Sequence, residues 1–224
     1  MRILALDGAL ARASAAVWAE GRVLAARAAE GARGQAVALP PMVAAVLAEA
    51  GVAAASLDAV AAVVGPGGFT GIRAALALAQ GVALAAGRPA IGVSTGEALA
   101  ASLPEELRAA HAVWSATDTR RGRILLERFA PGSLTPLGPP EPFPLDALPV
   151  PEGVVALVGD AAPLLAAQLG DRALLTGALL PDAAAVAAVA ALRLQGKLPP
   201  RACLPLYVEP PAVTPPAARQ AGQG

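Results

Sequence analysis

The chain has 224 residues, enough for one or two domains, and its 56% apolar content excludes wholesale disorder, which needs low hydrophobicity and high net charge. Its 17 basic and 17 acidic side chains cancel, so no basic shell announces a nucleic acid. A single histidine, His111, and a single cysteine, Cys203, exclude a structural zinc tetrahedron and an internal disulfide, and without a G-x-S-x-G elbow a serine-hydrolase triad has no footing.

Alanine dominates the apolar count, and Lys197 is the lone lysine, which reads as GC-rich coding bias. Alanine suits buried and exposed faces alike, so it weakens every periodicity argument. No apolar run approaches the ~20 large residues of a membrane span. The opening Met1-Arg2-Ile3-Leu4-Ala5-Leu6-Asp7 has neither the apolar run nor the cleavage site of a signal peptide. The expectation is a soluble, cytoplasmic protein.

Taken in order, Arg2 to Leu6 predicts a strand ending at Asp7, and Ala13 to Ala19 and Arg22 to Ala29 predict a hairpin around Glu20-Gly21. Leu39, Met42, Val43, Val46 and Leu47 recur at helical spacing up to Gly51, with Pro40 and Pro41 expected near the first turn or marking an irregular start. Ala59 to Val64 predicts a buried strand closed by Gly65-Pro66-Gly67-Gly68. Thr70 is then the expected cap of a helix from Gly71 to about Ala86. That helix is small or apolar nearly all round, so it is buried on most sides or buries its free face on another molecule. Pro89 to Val93 predicts a strand, and Thr95 or Ser94 caps a helix toward Ser102.

Residues 1–102 thus read β-β-β-α-β-α-β-α. The second half repeats some of that order. Strands are expected at Ala112 to Thr117 and Arg123 to Phe129, followed by a Pro-rich connection from Pro131 to Pro151. Val154 to Val158 predicts a strand, followed by a helix to Gly170 and one from an Asp182 cap to about Leu194. Beyond Pro199 the chain turns Pro-rich, and its last residues read as disordered.

Asp7, Asp118 and Asp160 each fall just past the carboxyl end of a predicted strand, the edge where open α/β sheets bind ligands. Carboxylates there either hold a hydrated Mg²⁺ riding on nucleotide phosphates or cap the following turn. Gly65-Pro66-Gly67-Gly68-Phe69-Thr70-Gly71-Ile72-Arg73 places a glycine-rich turn between strand and helix, an anion-binding geometry that serves equally as a tight packed turn. It matches neither the Walker A loop nor G-x-G-x-x-G. His111 reads as a surface or turn residue, Cys203 lacks an activating neighbour, Trp18 and Trp114 read as core, and Arg120 and Arg121 as a solvated turn.

The Gly65 to Arg73 stretch resembles the G-P-G-S-F-T-G-[IV]-R signature of the TsaB (YeaZ) family of bacterial tRNA threonylcarbamoyladenosine biosynthesis proteins. Ile3-Leu4-Ala5-Leu6-Asp7, Leu39-Pro40-Pro41-Met42-Val43, Ile91-Gly92-Val93-Ser94-Thr95, Asp118-Thr119-Arg120-Arg121-Gly122 and Pro205-Leu206-Tyr207-Val208 are similar to further family motifs in the same order. Gly8, Gly68, Gln35 and Glu209 depart from that pattern, where threonine, serine, histidine and arginine are usual.

The resemblance implies an α/β, two-lobed actin-like (ASKHA) fold with ribonuclease-H-like β-β-β-α-β-α lobes and mixed sheets. The lobes would be 1–105 and a smaller 106–209, with the closing helix on the first lobe and a disordered tail at 210–224. It implies a non-catalytic accessory subunit that pairs with and activates a TsaD-type catalytic subunit, together with a TsaE-type ATPase. The machinery installs threonylcarbamoyl on adenosine 37 of tRNA, which this chain would meet indirectly, and alone the chain would form a homodimer. No catalytic residue, metal site or cofactor of its own is expected, ATP or ADP with Mg²⁺ belonging at most to a site shared in the complex.

By the same resemblance the partner face comprises Leu39, Met42, Val43, Val46, Thr70, Gly71, Arg73, Ala74, Ala77, Leu78 and Gly81. Asp7, Gly67, Gly68, Asp118, Gly159 and Asp160 would form a degenerate nucleotide cleft. The alternative is a small actin-like ATPase or phosphotransferase working on Mg-ATP in that cleft.

Overall fold

The computed structural model describes residues 1–31 and 33–208; the expected tail at 210–224 and the Glu209 departure lie outside the described residues. β1 (Arg2–Asp7), β2 (Arg12–Ala19) and β3 (Arg22–Glu30) form an antiparallel meander, and β4 (Ala59–Gly65) and β5 (Ala90–Ser94) extend it in parallel from the β1 side. The strand order is β3-β2-β1-β4-β5. β4 is buried at every residue and β1 at all but its first, as expected of central strands with both faces covered. α1 (Gln35–Glu49) and α2 (Phe69–Ala86) pack on each other and on one face. The other face takes α3 (Thr95–Ala101) and the last helix, α6 (Ala183–Leu194).

The second sheet joins β6 (Ala112–Asp118), β7 (Arg123–Phe129), β8 (Glu141–Pro144), β9 (Val155–Val158) and β10 (Ala173–Leu175) in the order β10-β9-β6-β7-β8. The first sheet has its opening strand at the centre, flanked by an antiparallel meander on one side and two parallel strands on the other, and the second sheet is built the same way around β6. That is the paired arrangement of a two-lobed actin-like fold. α5 (Ala162–Leu169) covers one face of this sheet; a short α4 (Glu105–Ala110) precedes β6. α3 lies between the lobes, with Leu99, Ala100 and Leu103 packed on Val113, Phe129, Ala156 and Val158 of the second sheet. Its start is fixed by a capping box between Ser94 and Glu97. α6 leaves the second lobe and places Val186, Ala187, Val189 and Ala190 in the first lobe's core.

The structure departs from the sequence reading in five places. Helix α2 begins at Phe69 with Gly68 in the capping position, so Thr70 is an exposed residue of the first turn and caps nothing. Pro40 and Pro41 sit inside α1, not in its first turn; both face solvent, where the missing amide hydrogen bonds cost least. The Pro-rich connection contains β8, paired to β7. The second lobe has no helix between β8 and β9, so it reads β-β-β-β-α-β-α. Finally, α2 is long and apolar enough, by length and composition, to cross a membrane. One face of it packs on the sheet, with Ile72, Ala75, Leu76, Ala79 and Ala83 buried and its main contacts on β4, while the opposite face is exposed.

Candidate functional site

The loops after β1 and β4, readable from sequence as an anion site or as a tight packed turn, are closed on each other. Gly68 N–H donates to the Ala9 carbonyl at 2.6 Å. A Cβ on Gly67 would stand 2.3 Å from the Ala9 carbonyl oxygen, one on Gly71 would stand 2.0 Å from that of Gly8, and one on Gly8 would stand 2.8 Å from that of Gly71. Backbone meets backbone at all three, with no flexible side chain to give way. The glycines of this signature thus serve the packed turn, and the residues do not fit a nucleotide phosphate between them.

Asp7 is fully buried beneath them. Its Oδ1 accepts from Ala9 N–H at 2.9 Å, and its Oδ2 has no hydrogen-bond partner among the described residues. Burial pushes its carboxyl up to about 7, against the pull of the Ala9 amide and the Arg12 charge. A carboxylate so enclosed cannot reach a metal on a bound nucleotide.

In the second lobe Asp118 and Asp160 do meet. Asp118 N–H donates to Asp160 Oδ1 at 2.9 Å, and the Arg120 guanidinium lies 3.4 Å from Asp118 Oδ2 and 3.3 Å from Asp160 Oδ2. Burial raises the Asp160 carboxyl, with the Asp118 amide and Arg120 opposing it. Gly159 is occupied with packing: a Cβ there would stand 2.2 Å from the Ala116 carbonyl oxygen. Among the described residues no hydrogen bond or ion pair joins Asp7 to Asp118 or Asp160, and no group of three His, Cys, Asp or Glu could hold a metal ion. Asp7, Gly67 and Gly68 belong to the loops of the first lobe, and Asp118, Gly159 and Asp160 to those of the second.

An open groove of about 830 Å³ lies elsewhere between the lobes, and none of those six residues lines it. Its charged groups are Arg12, Glu30 and Asp182, with Leu103, Leu107 and Leu179 among its apolar walls. Sequence reading missed it because the walls come from four distant segments. It also missed a buried polar joint between the lobes. Ser94 Oγ donates to Glu127 at 2.8 Å, while Glu97 accepts from Arg193 and, at 3.4 Å, from Arg201. Burial, reinforced by the neighbouring Glu97 charge, pushes the Glu127 carboxyl up to about 7. The Ser94–Glu97 spacing announces a helix start, but nothing in the sequence brings Glu127 to it. His111 follows α4, and burial pushes the Cys203 thiol up to about 11, away from reactivity.

The helical face is the remaining candidate, and here the structure divides the expected residues. Leu39, Val43 and Val46 are buried in the chain's own core, and Gly71 is packed against Gly8, so these four cannot form a partner face. Sequence periodicity marked the apolar stripe of α1 correctly but could not say which side of it is the inside. Met42, Ala74 and Leu78 are half-buried, while Thr70, Arg73, Ala77 and Gly81 are exposed. At 100° per residue these last four fall within one arc of α2 with Leu84, which is 84% exposed. The arc combines small residues, Ala77 and Gly81, with the exposed Leu84 and is bounded at its start by Thr70 and Arg73.

This geometry has close counterparts. Residues 28–129 match the family described as TsaD, tRNA N6-adenosine threonylcarbamoyltransferase. A Pseudomonas aeruginosa protein described as having similarity to peptidase YEAZ superposes with a TM-score of 0.79 at 30% identity, over 93% of this chain and 99% of that one. YeaZ from Pseudomonas aeruginosa gives 0.77 at 30% identity, over 92% and 99%. The chain belongs to the TsaB (YeaZ) family.

The tRNA threonylcarbamoyladenosine biosynthesis protein TsaB of Escherichia coli (strain K12) is 38% identical over 124 residues, 55% of this chain and 53% of that protein. The tRNA N6-adenosine threonylcarbamoyltransferase of Maricaulis maris is 47% identical over 78 residues, 34% and 21% of the two. The chain thus spans about half the length of that TsaB and about a fifth of that transferase. The departure at Gly8 falls where a Cβ would stand 2.8 Å from the Gly71 carbonyl oxygen. The departure at Gly68 meets no such contact, because a Cβ there stands 3.5 Å from its nearest neighbour.

Proposed function

We propose that this TsaB-family chain is a non-catalytic accessory subunit of the tRNA N6-threonylcarbamoyladenosine machinery, docking on and activating a TsaD-type catalytic subunit. The observation that carries the reading is the exposed arc of α2 around Ala77, Gly81 and Leu84, which no other described element of the monomer covers. Small residues such as Ala77 and Gly81 admit a second helix at close range, and half-buried Met42 on α1 adds adaptable apolar area. The match to the TsaD family spans residues 28–129, which include α1 and α2, so a TsaD-type partner would bring helices of the same design to the contact.

A TsaE-type ATPase joins the pair, tRNA is met through the complex, and in the absence of the partner the same face pairs two copies of this chain. ATP or ADP with Mg²⁺ would bind at a site shared with the partners. The alternative of a small actin-like ATPase or phosphotransferase is disfavoured by the enclosure of Asp7 and by the closed Gly8–Gly71 contact.

The test is size-exclusion and calorimetric titration of the chain with a TsaD-type subunit, alongside reconstituted tRNA modification. A one-to-one complex is expected, with no modification by this chain alone and none without it. Ala77→Glu would place an unpaired carboxylate in the contact, at about 3–5 kcal/mol, and should abolish the complex while leaving the fold intact. Equal modification with and without the chain would refute the role.

A further inference from the structure

Residues 201–207 leave α6 and run back across the first lobe as a strap. Gly92 N–H donates to the Arg201 carbonyl at 3.0 Å, Ala202 bridges Ile91, and Leu206 N–H donates to the Val64 carbonyl at 2.9 Å. The strap is tied to α2 as well. Gln80 Nε2 donates to the Cys203 carbonyl at 2.6 Å, and Arg73 donates to Tyr207 Oη at 2.8 Å. Gln80 and Arg73 mark one flank of the exposed arc of α2. The other flank turns toward α1, whose Gln35 lies beside Gly71. The arc is therefore a floor with α1 along one side and the strap along the other.

The strap contributes exposed apolar surface of its own, with Leu204 61% and Tyr207 60% exposed. At its end the Arg73 guanidinium lies 3.5 Å over the ring of Phe69, itself 58% exposed, while bonded to Tyr207. Two aromatic side chains thus hold one guanidinium in a fixed orientation. Among the described residues Arg73 makes no ion pair. Aromatic and arginine side chains are the types that anchor protein contacts when covered. A guanidinium covered by a partner needs a carboxylate there, because an unpaired buried charge is strongly unfavourable.

Resting on the docking role proposed above, we infer that the strap is the second wall of the docking face and that Phe69, Arg73 and Tyr207 form its anchor, gripping an aspartate or glutamate of the catalytic subunit. The neutral charge of the chain and the apolar surroundings of the anchor favour a protein carboxylate over nucleic acid. The strap brings a segment from the end of the chain into the contact beside α1 and α2 of the same lobe.

Calorimetric titration of full-length variants with the TsaD-type subunit tests this. Arg73→Met keeps the stem but removes the charge, and Tyr207→Ala and Leu204→Asp alter the strap. Each should weaken binding at least tenfold with an unchanged melting temperature. Val150→Asp, an exposed apolar position on the second lobe, is the control and should bind as the parent does. If Ala77→Glu abolishes binding while the strap and Arg73 variants stay within twofold, this inference fails and the docking role stands. If the parent chain does not bind, or Ala77→Glu binds normally, both fail. Normal binding by Arg73→Met with weakened Tyr207→Ala overturns the carboxylate grip.

Discussion

Replacing the buried carboxyl at the lobe joint should change how stability depends on pH. Glu127 is enclosed between β7 and the start of α3, and burial with the Glu97 charge raises its carboxyl from 4.5 to about 7. The folded chain therefore holds a proton there that the unfolded chain has already released. Its stabilising contribution is complete below pH 4.5 and is lost as pH climbs through about 7. At 1.36 kcal/mol per unit, the share falling between pH 5 and 8 is about 2–3 kcal/mol. For a chain of this size that corresponds to a melting temperature lower by roughly 5–10 °C at pH 8 than at pH 5.

Asp7, raised to about 7 by the same cause, works in the same direction. Glu127→Gln keeps an oxygen to accept from Ser94 and has no proton to lose. Thermal unfolding followed by circular dichroism from pH 5 to 8 should show a shallower decline for Glu127→Gln, and a shallower one still for Asp7→Asn with Glu127→Gln. The parent and Glu127→Gln losing stability in parallel would show that Glu127 is ionised at neutral pH in the folded chain, and would refute the reasoning.

Other substitutions separate packing from docking. Gly71→Ala must push its helix turn away from the Gly8 backbone, so it should destabilise by at least 1–3 kcal/mol in urea unfolding. Gly81→Ala meets nothing within 4 Å, so it should stabilise the monomer by about 0.5–1 kcal/mol. The same Gly81→Ala should bind a TsaD-type subunit more weakly, because its methyl occupies the helix contact. Leu39→Ala should cost about 2–5 kcal/mol of stability, since Leu39 is wholly buried, and its effect on binding should follow the fraction folded. Glu97→Gln should destabilise by about 3–5 kcal/mol, because it leaves the Arg193 guanidinium buried against an uncharged partner.

The strands and most helices were legible because the local signals agree. Apolar runs end at Asp7 and Gly65, Glu20-Gly21 makes a hairpin turn, and Ser94 and Asp182 accept from amide groups at the starts of α3 and α6. The Gly65 to Arg73 signature also carried the family. The sequence alone could not assign inside and outside on helices built of alanine, where Ala75 is buried and Ala77 exposed with the same side chain. Nor could it tell that the glycines at 8, 67 and 71 serve backbone contact and not a ligand, since both uses demand the same missing Cβ.

The rest depends on segments far apart in the chain. Folding back residues 183–208 places Ser14 Oγ at the Ala183 amide, Arg193 on Glu97, and Tyr207 on Arg73. Each such pair lies far beyond the reach of any helical or strand period. Tertiary structure alone decided where the free face of the chain lies, because exposure is set by what fails to pack against a residue, and periodicity records only what its own element presents.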